Sequence, residues 1–124
     1  MGETYLVRFD EGEDILEALE EFSKERDIEY ANPIRVSGYI TNISIVTTGM
    51  NAGMDKHNYK GPFRVNAISG KIQKAKQGGY RIDLNVAVSG IGVGSITGTL
   101  MQARAGEALE ISVKKIDLSK MIES

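Results

Sequence analysis

Only residues 13–26 of this chain carry the period of an amphipathic helix. Nearly everything else alternates apolar with polar or is β-branched, and that imbalance limits the folds available. In the helical stretch Ile15, Leu16, Ala18, Leu19 and Phe22 follow the three-and-four spacing that gathers apolar side chains on one face. Glu13 and Asp14 suit the positive N-terminal end of the helix dipole, Lys24 and Arg26 suit the other end, and Glu20 lies one turn from Lys24.

The strand-like runs are TYLVRF (4–9), PIRVSGYI (33–40), NISIVTT (42–48), FRVNAIS (63–69), GKIQKAK (70–76), YRIDLNVAV (80–88), SITGTLM (95–101) and ALEISVKKI (108–116). Their connections carry Gly, Asn or Asp, and QGG (77–79) reads as a hairpin turn. The expected class is α+β and largely antiparallel, in one domain over residues 1–124. One helix covers only part of a sheet this large. Either the sheet curls onto itself, or its remaining apolar surface and open edges pair with another chain, and an oligomer is expected. GMNAGMDKHNYKG (49–61) has no apolar period and is long for a strand connection, so it is expected to be a surface loop of the kind that can serve as a lid.

Composition removes several chemistries. The chain has no cysteine, which excludes disulfides, thiolate metal sites and a cysteine nucleophile. Hydrophobic residues at 41% and charged residues at 26% are the proportions of a soluble globular chain rather than a disordered or membrane one. MGETYLVRFD lacks the pattern of a signal peptide and no window approaches a membrane span, so no membrane partner and a cytoplasmic location are expected. Charge is uneven. Residues 1–31 hold eleven acids against three bases, and residues 32–124 hold twelve bases against six acids. The acidic segment reads as a solvated helix face or as a docking surface for a partner.

The most suggestive motif is AVSGIGVGSITG (87–98). A dinucleotide fingerprint needs G-x-G-x-x-G opening a helix, because the helix N-terminus binds the pyrophosphate. Gly90 and Gly92 fit, but Ser95 stands where the third glycine belongs, and SITGTLM after it is strand-like. No Lys-Ser or Lys-Thr pair completes a phosphate loop. The glycines are read as a turn between two strands, and no catalytic residue is assigned. His57 is the only histidine, in the 49–61 segment with Asp55 nearby, too little for a catalytic relay or a zinc site. The methionines, Met50 and Met54 among them, read as gap fillers.

Two clusters remain as candidate sites. In YRIDLNVAV a period of two places Asp83, Asn85 and Ala87 on one face and the aliphatic residues on the other, so the polar row is solvated, lines an interface or lines a pocket. Lys71, Lys74, Lys76 and Arg81 all fall on the hairpin turning at QGG. They read as a solvated charged tip or as a nucleic-acid or anion contact whose salt sensitivity would be steep. Tyr80 is the one aromatic nearby that could stack on a base.

GEDILEAL (12–19), SGYITNISI (37–45), YKGPFRVNAISGKI (59–72), RIDLNVAVS (81–89) and ITGTL (96–100), taken in order, resemble the plants-and-prokaryotes-conserved (PPC) domain over roughly residues 5–117. The resemblance implies a compact α+β domain with a mostly antiparallel, strongly curved sheet and one main helix at about residues 13–26, assembled as a homotrimer. In plants the domain accompanies AT-hooks in nuclear DNA-binding proteins; in prokaryotes it stands alone. The Arg-Gly-Arg core of an AT-hook is absent here. Many prokaryotic relatives carry histidines at positions matched here by Asp83, Asn85 and Thr99, so the resemblance implies no imidazole site, no metal and no other cofactor for this chain. The family's Gly-Arg-Phe-Glu-like stretch, linked in plants to partner contact, appears as Gly61, Pro62, Phe63 and Arg64; Gly70 closes the same motif region. The expected function is that of a non-catalytic homotrimer associated with DNA. The alternative is a small-molecule or metal binder, or an enzyme, with an inter-subunit pocket at Asp83, Asn85 and Thr99 closed by the loop around His57.

Overall fold

A computed structural model describes residues 3–48, 54–92 and 94–116 of the chain. The elements are β1 (Thr4–Arg8), α1 (Ile15–Glu25), β2 (Tyr30–Ser37), β3 (Tyr39–Thr48), β4 (Met54–Tyr59), β5 (Phe63–Lys74), β6 (Tyr80–Gly90), β7 (Gly94–Ala105) and β8 (Glu110–Lys115). The described strands form one antiparallel sheet in the order β1-β8-β2-β5-β6-β7-β3-β4. The starts of β3 and β5 also pair, Tyr39 with Arg64 and Ile40 with Phe63, although β6 and β7 stand between these strands in the sheet. The sheet therefore curls until two of its members meet, the first of the two ways to shield its apolar face.

The helix is delimited by local chemistry. Asp14 is its N-cap, and its side chain accepts a 3.0 Å hydrogen bond from the Glu17 amide. At the other end Asp27 takes a left-handed φ of 50°, its amide donating to Lys24 O while the Ile28 amide reaches back to Ser23 O. This pair of bonds is a Schellman closure with Asp27 where glycine is usual. Ile15, Leu19 and Ser23, spaced four apart, are buried on the inner face. They pack over a core that includes Ile43 and Ile45 of β3, Leu84 and Val88 of β6, Leu100 of β7 and Val113 of β8.

Strict alternation would put Ile40 and Ile43 on opposite faces, yet both are buried. The β3–β7 register shifts between Thr41 and Ser44, and Asn42 sits there with φ 49°. The extra residue of this bulge restores the apolar side chains to the core. In β5 a shift between Val65 and Ala67 lets buried Val65 and buried Ile72 face the same way.

Three expectations are corrected. Residues 63–69 and 70–76 are not two strands: β5 runs unbroken from Phe63 to Lys74, passing Gly70 at φ 134°. The 49–61 segment is not all loop, because residues 54–59 pair with β3 from Ile43↔Tyr59 to Thr48↔Met54; Met50 and the rest of 49–53 lie outside the described residues. The run 33–40 is not one strand: β2 spans Tyr30–Ser37, with the proline accommodated at a register shift between Pro33 and Arg35, and Tyr39 and Ile40 already belong to β3. The two turns are as read. The Ala75 amide donates to Gly79 O and the Gly78 amide to Ala75 O at QGG, while Gly90 pairs with Gly94 where β6 turns into β7. Among the described residues no helix is long and apolar enough to cross a membrane.

Candidate functional site

The β5–β6 hairpin carries the four cations, but the pleat divides them. Lys71 faces Asp83 and Gln73 faces Arg81, so Lys71 and Arg81 share the outer face of the sheet. Lys74 faces Tyr80 on the opposite, core-side face, and Lys76 lies exposed in the turn. Two of the four are already engaged by carboxylates. Lys74 Nζ is 3.0 Å from Asp27 Oδ1, and Arg81 Nε is 3.4 Å from Asp83 Oδ2. The bond to Asp27 and its charge raise the Lys74 pKa. Tyr80 is no stacking platform: its ring is half-buried and its hydroxyl lies 2.7 Å from Ile28 O and 3.1 Å from Ser23 O, under the end of α1. Burial is the main cause that raises its pKa, and neighbouring Lys74 opposes it.

The outer face extends this basic surface in a direction that the linear sequence hides. Ladder partners run from Lys114 of β8 to Asn32 of β2, and the pairing of Ala31 with Ile72 sets Asn32 beside Lys71. The Asn32 amide donates to Gly70 O at 2.8 Å, fixing β2 to β5 at this point. Lys114 was invisible as a member of the cluster because it is 43 residues from Lys71 and is joined to it only through the sheet order.

The polar row is real as geometry. Asn85 and Thr99 are cross-strand partners, and the Thr99 hydroxyl donates to Asn85 Oδ1 at 2.8 Å. Asp83 lies one outer-face position along, opposite Lys71 and beside Arg81. The row continues from Thr99 to Val46 and Lys56. His57 falls in the next row, with Ile45, Leu100 and Leu84, so within one chain it lies on the other face of the sheet from Asn85 and Thr99. There it stacks on Tyr59 with ring centroids 6.1 Å apart. This donor set does not suit a metal. The Asp83 carboxylate is ion-paired, Asn85 Oδ1 is occupied by Thr99, and among the described residues no three His, Cys, Asp or Glu side chains gather.

The motif residues serve the backbone. Gly61 has φ 80° and precedes a cis bond to Pro62, and a Cβ there would stand 2.9 Å from the Phe63 ring. Phe63 is buried edge-on to Tyr59 at 5.8 Å. Gly70 is held against β6.

A cleft of about 560 Å³ opens where β3, β7 and the loop before α1 meet, and no sequence pattern pointed to it. Its lining includes Glu11, Tyr39, Asn42, Pro62, Arg104 and Glu107. Only Asn42, a residue type that tolerates left-handed φ, offered a local signal that the chain does something unusual there.

The sequence profile of the Plants and Prokaryotes Conserved (PCC) domain matches residues 1–117. No curated protein sequence matches the chain. Among solved structures, a plant- and prokaryote-conserved protein from Pyrococcus horikoshii superposes with a TM-score of 0.80 at 21% identity, covering 94% of this chain and 82% of that one. A metal-containing protein from Archaeoglobus fulgidus gives 0.77 at 23% identity, covering 92% and 79%. A candidate DNA-binding protein from Ralstonia eutropha gives 0.75 at 18% identity, covering 90% and 77%.

Proposed function

The chain belongs to the Plants and Prokaryotes Conserved (PCC) domain family, and from that premise we propose that it works as a non-catalytic homotrimer that associates with DNA through cations on the outer face and tip of its β5–β6 hairpin. The observation that carries this reading is the placement of Lys71 and Arg81 on one face, with Lys76 at the tip and Lys114 two strands away in the Lys71 row. Cations presented along a sheet face match a phosphate backbone by charge, independent of base sequence. The description of the Ralstonia eutropha protein as a candidate DNA binder is consistent with it. Lys74 is subordinate in this reading, since it lies on the core-side face and pairs with Asp27, and Arg81 contributes less than Lys71 and Lys76 because Asp83 lies 3.4 Å from it.

Trimerisation is part of the proposal because the outer face is poor in charge along its middle, where Ala67, Ala87 and Thr97 follow one another across three strands. Exposed Met101 lies on the strand that ends this row. Such a face suits burial against neighbouring copies.

The test is an electrophoretic mobility shift with duplex DNA at low salt, comparing the wild type with Lys71→Glu/Lys76→Glu and with Lys74→Glu alone. The double variant should lose most binding, the Lys74 variant little, and the slope of log affinity against log salt should fall by about 0.9 for each phosphate contact removed. Equal binding by all three would remove the surface. Light scattering on the same samples reads the trimer separately.

A further inference from the structure

We propose that the cleft between β3, β7 and the loop before α1 binds a small zwitterion, an α-amino acid with an apolar side chain. Its volume of about 560 Å³ lies within the roughly 300–1,000 Å³ range of small-molecule sites. Its walls are tied together by backbone hydrogen bonds from three separate segments. The Gly12 amide donates to Ala105 O and the Ala105 amide to Glu13 O, both at 2.8 Å; the Gly106 amide donates to Tyr39 O at 2.8 Å and the Tyr39 amide to Glu107 O at 3.1 Å. Asn42 holds its left-handed φ of 49° on one wall, anchored by its amide to Lys60 O. A site so braced exists before any ligand arrives, which reduces the ordering cost of binding.

The charges in the cleft define the ligand. Arg104 is oriented by one bond, from Nη1 to Gly12 O at 2.9 Å, and the rest of its N–H groups have no partner among the described residues. Glu11 and Glu107 line the same cleft, and their carboxylates have no hydrogen bond or ion pair among the described residues, Arg104 included. Opposite charges thus share one concave surface without neutralising each other. An anion alone meets two carboxylates, and a cation alone meets the guanidinium. A molecule carrying both groups satisfies both ends, its carboxylate on Arg104 and its ammonium on the glutamates. Exposed Tyr39 and Pro62 line the same cleft and offer apolar surface for a side chain, and an aromatic ring such as that of Tyr39 also attracts an ammonium group.

Isothermal titration calorimetry on the full chain decides the matter, with L-phenylalanine as the probe and phenethylamine and 3-phenylpropionate as analogues that keep one charge each. L-Phenylalanine should bind at least about tenfold more tightly than either analogue. Glu11→Gln and Glu107→Gln change only exposed carboxylates that take no part in the backbone bonds bracing the cleft, and should each weaken binding by about tenfold while circular dichroism stays unchanged. Absence of binding by L-phenylalanine overturns the proposal, as does equal affinity for either analogue or affinity unaltered in both glutamine variants.

Discussion

A Cβ on Gly70 would stand 1.9 Å from the carbonyl oxygen of Asp83 on the neighbouring strand, so β5 and β6 approach here as closely as only glycine permits. Its φ of 134° adds a backbone conformation that side chains resist. Gly70→Ala must either push the hairpin apart or strain β5. The expected cost is at least about 2 kcal/mol, read as a lower urea midpoint with an unchanged slope. A midpoint within error of the wild type would mean that the approach is not needed for folding.

Asp27 occupies the left-handed position that closes α1, so its backbone role and its ion pair with Lys74 can be separated. Asp27→Gly loses an exposed pair that contributes little and gains backbone freedom, leaving stability within about 0.5 kcal/mol of the wild type. Asp27→Val keeps neither and should cost about 1–2 kcal/mol. The ordering of thermal midpoints, glycine and aspartate together above valine, checks the closure directly.

Tyr80 links the hairpin to the end of the helix through its hydroxyl, which serves the carbonyls of Ser23 and Ile28. Tyr80→Phe should cost about 1 kcal/mol at neutral pH. The raised Tyr80 pKa gives a second signature. A tyrosine whose folded pKa exceeds its unfolded value near 10 contributes stability that is fully present below pH 10. That contribution is lost as pH rises through the folded value. Tyr5, raised by its hydrogen bond to Glu3, acts in the same direction. Urea midpoints from pH 8 to 11 should fall more steeply for the wild type than for Tyr80→Phe, and parallel curves would contradict the burial argument.

How much of this was written in the linear sequence depends on whether the forces involved are local. The helix was legible because Ile15, Leu19 and Phe22 repeat at its own period and Glu13 and Asp14 stand at its N-terminal end. The glycine-rich stretch at 87–98 was legible because a turn needs only its own residues. Strand β4 was not: it is the last strand of the sheet, Lys56, His57 and Asn58 are all exposed, and its structure comes from the β3 ladder rather than from an apolar face. The basic cluster was seen as a count of cations. Which of them share a face is set by pleat parity and by Asp27, 47 residues from Lys74. The cleft had no signature beyond Asn42, since Tyr39, Arg104 and Glu11 come together only in the folded sheet.

The Asn85–Thr99 pair is placed where a metal site could be built. Their side chains meet across the ladder at 2.8 Å, one outer-face position from the Asp83 carboxylate. Asn85→His together with Thr99→His should set two imidazoles beside one carboxylate, a donor set suited to zinc. Zinc affinity measured by calorimetry should then rise at least about tenfold over the wild type, with a matching increase in thermal midpoint when zinc is present. Adding Asp83→Asn should reverse most of the gain, because the site would lose its only anionic ligand. Unchanged zinc affinity in the double-histidine variant would mean that the two strands do not aim these positions at a common point.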